Sequence, residues 1–433
     1  MTKHRMTRRE MLRNTTLAGV GVWMAGARNL RAESSPNEKL NIAAIGIGGR
    51  GGDDVNGVGA ENIVALCDVD EARGGPMFEK FPQAKRYKDF RKLLDEMHSK
   101  IDAVVIGTPD HTHAPAAAMA MRLSKHCYCE KPLTHSVFEA RTLANLAREH
   151  KLATQMGTQI HAGDNYRRVV ELVQGGAIGA VRQVEVRFPG AMGGMDRPTD
   201  TPPVPKGLDW DLWLGPAQER PYHSAYVPFN WRNWWAFGNG TLGDFGCHYM
   251  DLPYWALKLK YPTRIESEGP PPHPESAAPL LTVKYEFPQR GDLPPVTMTW
   301  RNGPNNVPAI FKEKNLPNWE AAVLFVGEKG MLLADYGRHQ LLPEAQYADF
   351  KRPDPSIPAS VGHHQEWINA CKTGSPTTCS FDYSGPLTET VLLGVVSYRT
   401  GSKLEWDAEN LKATNCAAAD PFIHPEYRKG WTL

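Results

Sequence analysis

Leu40-Asn41-Ile42-Ala43-Ala44-Ile45-Gly46-Ile47-Gly48-Gly49-Arg50-Gly51 decides the fold. The first six residues read as a strand. The next six read as a loop with glycine at its first, third and sixth positions. Each glycine has a physical job there: a sharp turn, room for a pyrophosphate against bare backbone, and close helix-to-strand packing. A helix after such a loop offers free N–H groups and a positive dipole end to phosphates. A second strand is expected over 62–67, with Asp68 at its end, 22 residues past Gly46. That spacing suits a carboxylate holding a ribose 2′-hydroxyl. A carboxylate there repels a 2′-phosphate, and Val69 and Asp70 follow it rather than a basic residue. The stretch therefore points to NAD over NADP, held by Gly46, Ile47, Gly48, Gly49, Arg50, Gly51 and Asp68. The competing reading is a tight surface turn, because 39 glycines make a chance match cheap. The strand before the loop and the acid after it argue against that reading. Gly57 and Gly59 fall where the first helix should run, so a short helix is expected.

Outward from this stretch, strands and helices alternate over residues 39–156, as in a doubly wound parallel sheet. Strands are expected over 101–107, 126–130 and 153–157. A small-residue helix is expected over 114–123. A second helix, over 136–151, carries a capping box of Ser136 and Glu139. Residues 157–433 have another texture. The run 181–188 alternates strictly, as a half-exposed strand does, and so does 281–287. Further strands are expected over 296–300, 323–326 and 331–334. Few helices separate them, so this half should be built on a large open, mainly antiparallel sheet.

Composition narrows the partners. Hydrophobic residues make up 41% and charged residues 22% of 433, as in ordinary globular chains. The net charge is +1 and no long basic run appears, so nucleic acid and anionic membrane are poor partners. The basic residues that do cluster lie at the N-terminus. Thr7-Arg8-Arg9-Glu10-Met11-Leu12 resembles a twin-arginine signal, followed by a modestly apolar stretch to Ala27 and a cleavage site after Ala32. The stretch is too short and weakly apolar to anchor the chain in a membrane. Residues 1–32 are therefore read as a signal peptide and 33–38 as a linker. Export in the folded state would place the protein in the periplasm or outside the cell with its cofactor already bound. The competing reading is a disordered basic tail. Seven cysteines without a CxxC spacing suggest neither a disulfide framework nor a metal site.

Two further groupings carry chemistry. Glu130-Lys131-Pro132 ends a parallel strand, where substrate sites of such sheets lie. A lysine there faces the cofactor, and partial burial should lower its pKa toward proton transfer; otherwise it is an exposed lysine beside a turn. In Gly238–Asp251, a helix over 244–257 would set Asp244 and His248 on one face at i, i+4. Such a pair can work on one substrate hydroxyl. The alternative is a helix capped by Asp244, with His248 structural.

The glycine loop, Thr108-Pro109-Asp110-His111-Thr112-His113, Glu130-Lys131-Pro132 and Asp244-Phe245-Gly246-Cys247-His248 occur in the order found in Gfo/Idh/MocA oxidoreductases, and the chain resembles that family over most of its length. The resemblance implies a catalytic trio of Lys131, Asp244 and His248. It also implies cofactor-cleft roles for Thr108, Pro109, His113, Glu130, Lys131 and Gln159, and a cis peptide at Pro132. By the same resemblance, hydride moves between a sugar or cyclitol carbon and a tightly bound NAD, and the large sheet mediates a homo-oligomer. Trp231, Trp234 and Trp235 abut Gly238 and could stack a sugar ring; the alternative is core packing. Some relatives are NAD-dependent glycosidases, which oxidise, eliminate, add water and reduce again. A non-catalytic sugar-binding protein is the third reading, and the intact trio argues against it.

Overall fold

The computed structural model describes residues 38–433. The twin-arginine motif, the cleavage site and most of the linker lie outside the described residues. In the order Lys85–Tyr87, Asn62–Cys67, Asn41–Ile45, Ala103–Ile106, His126–Cys129 and Thr154–Met156, six strands form one sheet. Every pair in it is parallel. The chain order reverses beside Asn41–Ile45, so a crevice opens beyond the carboxyl ends of the central strands. The helix after the glycine loop is short, Arg50–Gly57. Ser136 and Glu139 form the expected capping box on Val137–Glu149.

The second sheet has nine strands. Their order is His339–Leu342, Met331–Ala334, Ala322–Gly327, Val181–Phe188, Val296–Asn302, Leu281–Phe287, Arg264–Glu268, Leu404–Asp407 and Lys412–Ala413. Only Val181–Phe188 and Val296–Asn302 run parallel; the other pairs are antiparallel. The alternation over 181–188 suggests a half-exposed strand, but the strand sits mid-sheet and Glu185 and Arg187 on its polar face are buried. Arg187 donates at 2.8 Å to both Asn318 Oδ1 and the Trp319 carbonyl, and Glu185 accepts from Arg301 at 3.3 Å. Charged side chains are buried here because the loop before residue 322 reaches over Arg187 and the neighbouring strand supplies Arg301 to Glu185.

One apolar core runs from the parallel sheet through Phe381–Thr400 to the large sheet. The helix Phe381–Thr400 packs on Val137–Glu149 and on Gly240–Tyr249. Arg141 clamps the fully buried Glu389 through two hydrogen bonds of 2.8 Å. A fully buried Val or Leu contributes about 1.5–3 kcal/mol, so this shared core holds the two halves in register. The strand end carrying Lys131 and the helix carrying Asp244 thereby meet.

Candidate active site

Gly46 sits at φ +74°, and a Cβ at Gly51 would fall 1.8 Å from the Gly46 carbonyl oxygen. The loop and helix therefore close to a distance only glycine permits. The helix Arg50–Gly57 starts without a side-chain cap, which leaves its first N–H groups for phosphate oxygens. Asp68 accepts from the N–H groups of Ile47 and Gly48 at 3.0 and 3.2 Å, and from Asp70 N–H at 2.9 Å. Its carboxylate thus braces the glycine loop while lining the cleft. Burial raises its pKa against the pull of those N–H groups. Glycine cradle, uncapped helix and strand-end carboxylate together fit a dinucleotide.

The cleft encloses about 640 Å³ and runs from Gly46, Gly48, Gly49 and Asp68 past Thr108, Pro109, Glu130 and Gln159 to Lys131, Asp244 and His248. Lys131 and Pro132 are joined by a cis peptide. Asp244 and His248 share the helix Gly240–Tyr249, which breaks at Met250 before a second helix, Asp251–Ala256. Asp244 lies past the first turn, and its carboxylate does not cap that helix. Lys131 Nζ instead lies 2.5 Å from Asp244 Oδ1 and donates to the Asp244 carbonyl at 3.0 Å. Arg232 Nε stands 3.1 Å from the same Oδ1. Burial pulls the Lys131 ammonium down, but Asp244 and Glu130 outweigh it and hold its pKa above the usual lysine value. The expected lowering does not occur, because the strand and the helix bring two carboxylates to the ammonium. Burial pushes the Asp244 carboxyl up, and Lys131 and Arg232 bring it below its usual value.

His248 is unlike its neighbours. Its Nδ1 is buried and makes no hydrogen bond. Burial, and then the Lys131 charge, lower its pKa to about 3. The site therefore sets an ammonium whose pKa is raised, a carboxyl whose pKa is lowered and an imidazole whose pKa is lowered side by side. Asp110, buried in the same cleft wall, has its carboxyl pushed well up by burial.

Toward the glycine loop a second network forms. Glu130 Oε1 accepts from Gln159 at 2.6 Å and from Arg50 at 3.3 Å. Asp54 Oδ1 accepts from Arg50 and Tyr128 at 3.3 and 3.4 Å, and His364 Nε2 lies 3.0 Å away. Burial first, then their mutual repulsion for Glu130, lift both carboxyls to about 7.

The remaining residues take distinct places. The Ile47 side chain is core, its N–H serving Asp68. His113 is buried below the cleft, with its ring nitrogens 2.8 Å from the carbonyls of Thr108 and Pro132. It ties two cleft loops together and is absent from the wall. Trp231 lines the cleft. Trp234 is fully buried in an aromatic cluster, donating to the Ala225 carbonyl at 2.9 Å. Trp235 lines a separate cavity. Neither reaches the cleft wall. Arg232, Asp110 and Asp54 were not singled out from the sequence. A lone arginine inside Asn230-Trp231-Arg232-Asn233-Trp234 was a usable signal, as was Asp54 four residues after Arg50.

Comparison with known proteins agrees with this geometry. Residues 40–158 match the Gfo/Idh/MocA model described as an oxidoreductase family with an NAD-binding Rossmann fold, and residues 192–293 match its C-terminal alpha/beta domain. Among curated relatives, inositol 2-dehydrogenase of Rubrobacter xylanophilus is 31% identical over 149 residues, covering 33% of this chain and 42% of its own. The chain thus spans less than half the length of that relative. An uncharacterized oxidoreductase of Bacillus subtilis, YrbE, is 22% identical over 67% of this chain and 71% of its own. Among solved structures, GenD2 from gentamicin A biosynthesis in complex with NAD superposes with a TM-score of 0.59 at 20% identity, covering 87% of this chain and 98% of that one. The WlbA dehydrogenase of Bordetella pertussis, in complex with NADH and UDP-GlcNAcA, gives 0.61 at 15% identity over 86% and 99%. These two share the fold. The glycine cradle, the paired domains and the family match together make this chain a member of the Gfo/Idh/MocA oxidoreductases, with an NAD-binding Rossmann domain.

Proposed function

We propose that the protein oxidises a hydroxyl-bearing carbon of a sugar or cyclitol, or reduces the matching carbonyl, with NAD as the redox partner. The observation that carries this reading is the neutral, unpartnered His248 imidazole beside the Lys131–Asp244 ion pair, in one cleft with the glycine loop. NAD, when bound, supplies the hydride acceptor. In the oxidative direction His248 takes the hydroxyl proton through a free ring nitrogen. Lys131, held as a cation by Asp244, donates a hydrogen bond to the same oxygen and stabilises charge developing there. Asp244, itself held by Arg232, fixes the ammonium's position. The face of Trp231 suits the C–H face of a sugar ring.

Hydrolysis of a glycoside without net oxidation would use the same groups. Phe229 favours keeping this second reading: it lines the cleft while 56% exposed, which offers space beyond the reacting ring. One experiment separates them. Purified protein with its bound dinucleotide is mixed with unmodified sugars and with glycosides. A dehydrogenase reduces its NAD once and stalls without an acceptor. A redox-neutral glycosidase releases aglycone continuously with no net NADH. Failure of all sugars and glycosides to change the cofactor spectrum or to be cleaved would sink both.

Residues 1–32 support export through the twin-arginine route. Changing Arg8 and Arg9 to Lys should leave the protein in the cytoplasm with its signal uncleaved. Unchanged appearance of this double variant outside the cytoplasm would rule out that route.

A further inference from the structure

A second cavity, of about 300 Å³, shares no lining residue with the catalytic cleft. It is walled by the C-terminal end of Phe381–Thr400, the cap of Val137–Glu149, the segment around Arg220 and the chain near Phe422. Arg399 lies in the last turn of Phe381–Thr400 and has no carboxylate partner among the described residues. Its guanidinium rests over the rings of Phe422 and Trp235, at 4.1 and 5.1 Å. Burial alone lowers its pKa to about 10, with no acid to offset it. The Arg220 side chain is 8% exposed and has one ion pair, at 3.4 Å to Glu275. Glu275 also holds Arg197 at 2.6 Å, so one carboxylate serves two guanidinium groups. Arg220 Nε is buried with no partner among the described residues.

The other carboxylates of this cavity are already committed or exposed. Glu139 accepts from the N–H groups of His135 and Ser136 and from the Tyr427 hydroxyl. Glu426 is exposed. Guanidinium donors therefore outnumber the free carboxylates facing them, and a half-buried cation without a carboxylate partner is costly. Guanidinium groups match oxyanions through two parallel hydrogen bonds. Trp235 and Phe422 add apolar walls suited to a carbon skeleton.

The geometry points to a second ligand site here, at which Arg399 and Arg220 bind the carboxylate or phosphate group of a small organic anion.

The test uses the whole protein saturated with NAD, which keeps the glycine loop from taking the probe. Inorganic phosphate and acetate are titrated separately, with bound anion and unfolding midpoint as readouts. Saturable binding of either, with a rising midpoint, is expected; the stronger of the two names the anion class. Arg399→Gln should weaken that binding about tenfold or more, the scale of a lost charge-assisted hydrogen bond. Gln218→Glu, an exposed position on the cavity wall, should weaken it as well without touching the core. NAD content should stay unchanged in both variants. The site is refuted if neither anion binds saturably to the wild type. It is equally refuted if Gln218→Glu, together with any folded Arg399→Gln, binds as tightly as the wild type.

Discussion

In and beside the cleft stand two sets of buried carboxylates whose chemistry is opposite. Near Lys131, Asp244 faces two cations, Lys131 and Arg232, and its carboxyl is held below its usual pKa. Near the glycine loop, Asp54 and Glu130 share one guanidinium, Arg50, and both rise to about 7. All three side chains are almost fully buried. Burial penalises each carboxylate; close ion pairs with Lys131 and Arg232 overcome it at Asp244, whereas Glu130, with Asp54 beside it, stays raised despite Lys131 and Arg50. Geometry alone thus sets opposite protonation tendencies on one residue type within one region of the fold.

The largest effect is expected at the end of the cleft that holds Lys131 and His248. Lys131→Ala and His248→Ala should each keep the fold and bound NAD while lowering turnover on order of 10²–10⁴-fold, read by single-turnover absorbance of the cofactor. Near-native rates in both would remove the site assignment. Asp244→Asn strips two cations of their shared anion. Breaking a buried pair costs about 3–5 kcal/mol, so urea denaturation should show a loss of that size. A loss under about 1 kcal/mol would mean that water already solvates Lys131 and Arg232.

At the other end the expected effect is smaller and depends on pH. A glutamic acid with a raised native pKa binds its proton more tightly when folded. Its stabilisation is present at low pH and fades as pH rises from the ordinary glutamate range through about 7. Glu130→Gln removes this contribution. The stability difference between about pH 5 and about pH 8 should shrink by about 1–3 kcal/mol relative to the wild type. An unchanged pH slope would show that Glu130 is ionised throughout. Asp68 is the intermediate case, a buried carboxylate held by backbone N–H groups and no ion pair. Asp68→Ala should weaken NAD binding by roughly 1–3 kcal/mol, measured by calorimetry on protein stripped of its dinucleotide. Release of NADP(H) from the native protein would overturn the preference for NAD.

Much of this was legible in the residues. Gly46, Gly48 and Gly51 announce the turn because no other residue fits a Cβ there. The capping box of Ser136 and Glu139 is a spacing of three, and the shared face of Asp244 and His248 a spacing of four, and both survive in the structure. Trp234 and Trp235 show the limit. They adjoin Trp231 in sequence, yet one is core and the other lines a different cavity. Three tryptophans in five residues cannot all face one way in a segment that is part 3-10 helix and part extended.

The amino-acid sequence by itself determined the parallel dinucleotide-binding half, the mainly antiparallel second sheet, and the i, i+4 placement of Asp244 and His248. Those are properties of periodicity and spacing, which act over a few residues. Only the tertiary structure decided which groups carry charge. Lys131 keeps its proton because Asp244, 113 residues away, comes within 2.5 Å. Asp54 and Glu130 are raised because burial and, at Glu130, the neighbouring Asp54 charge outweigh the pull of the nearby cations. Protonation depends on burial and on the count of opposing charges, and both are set by long-range contacts that local spacing does not encode.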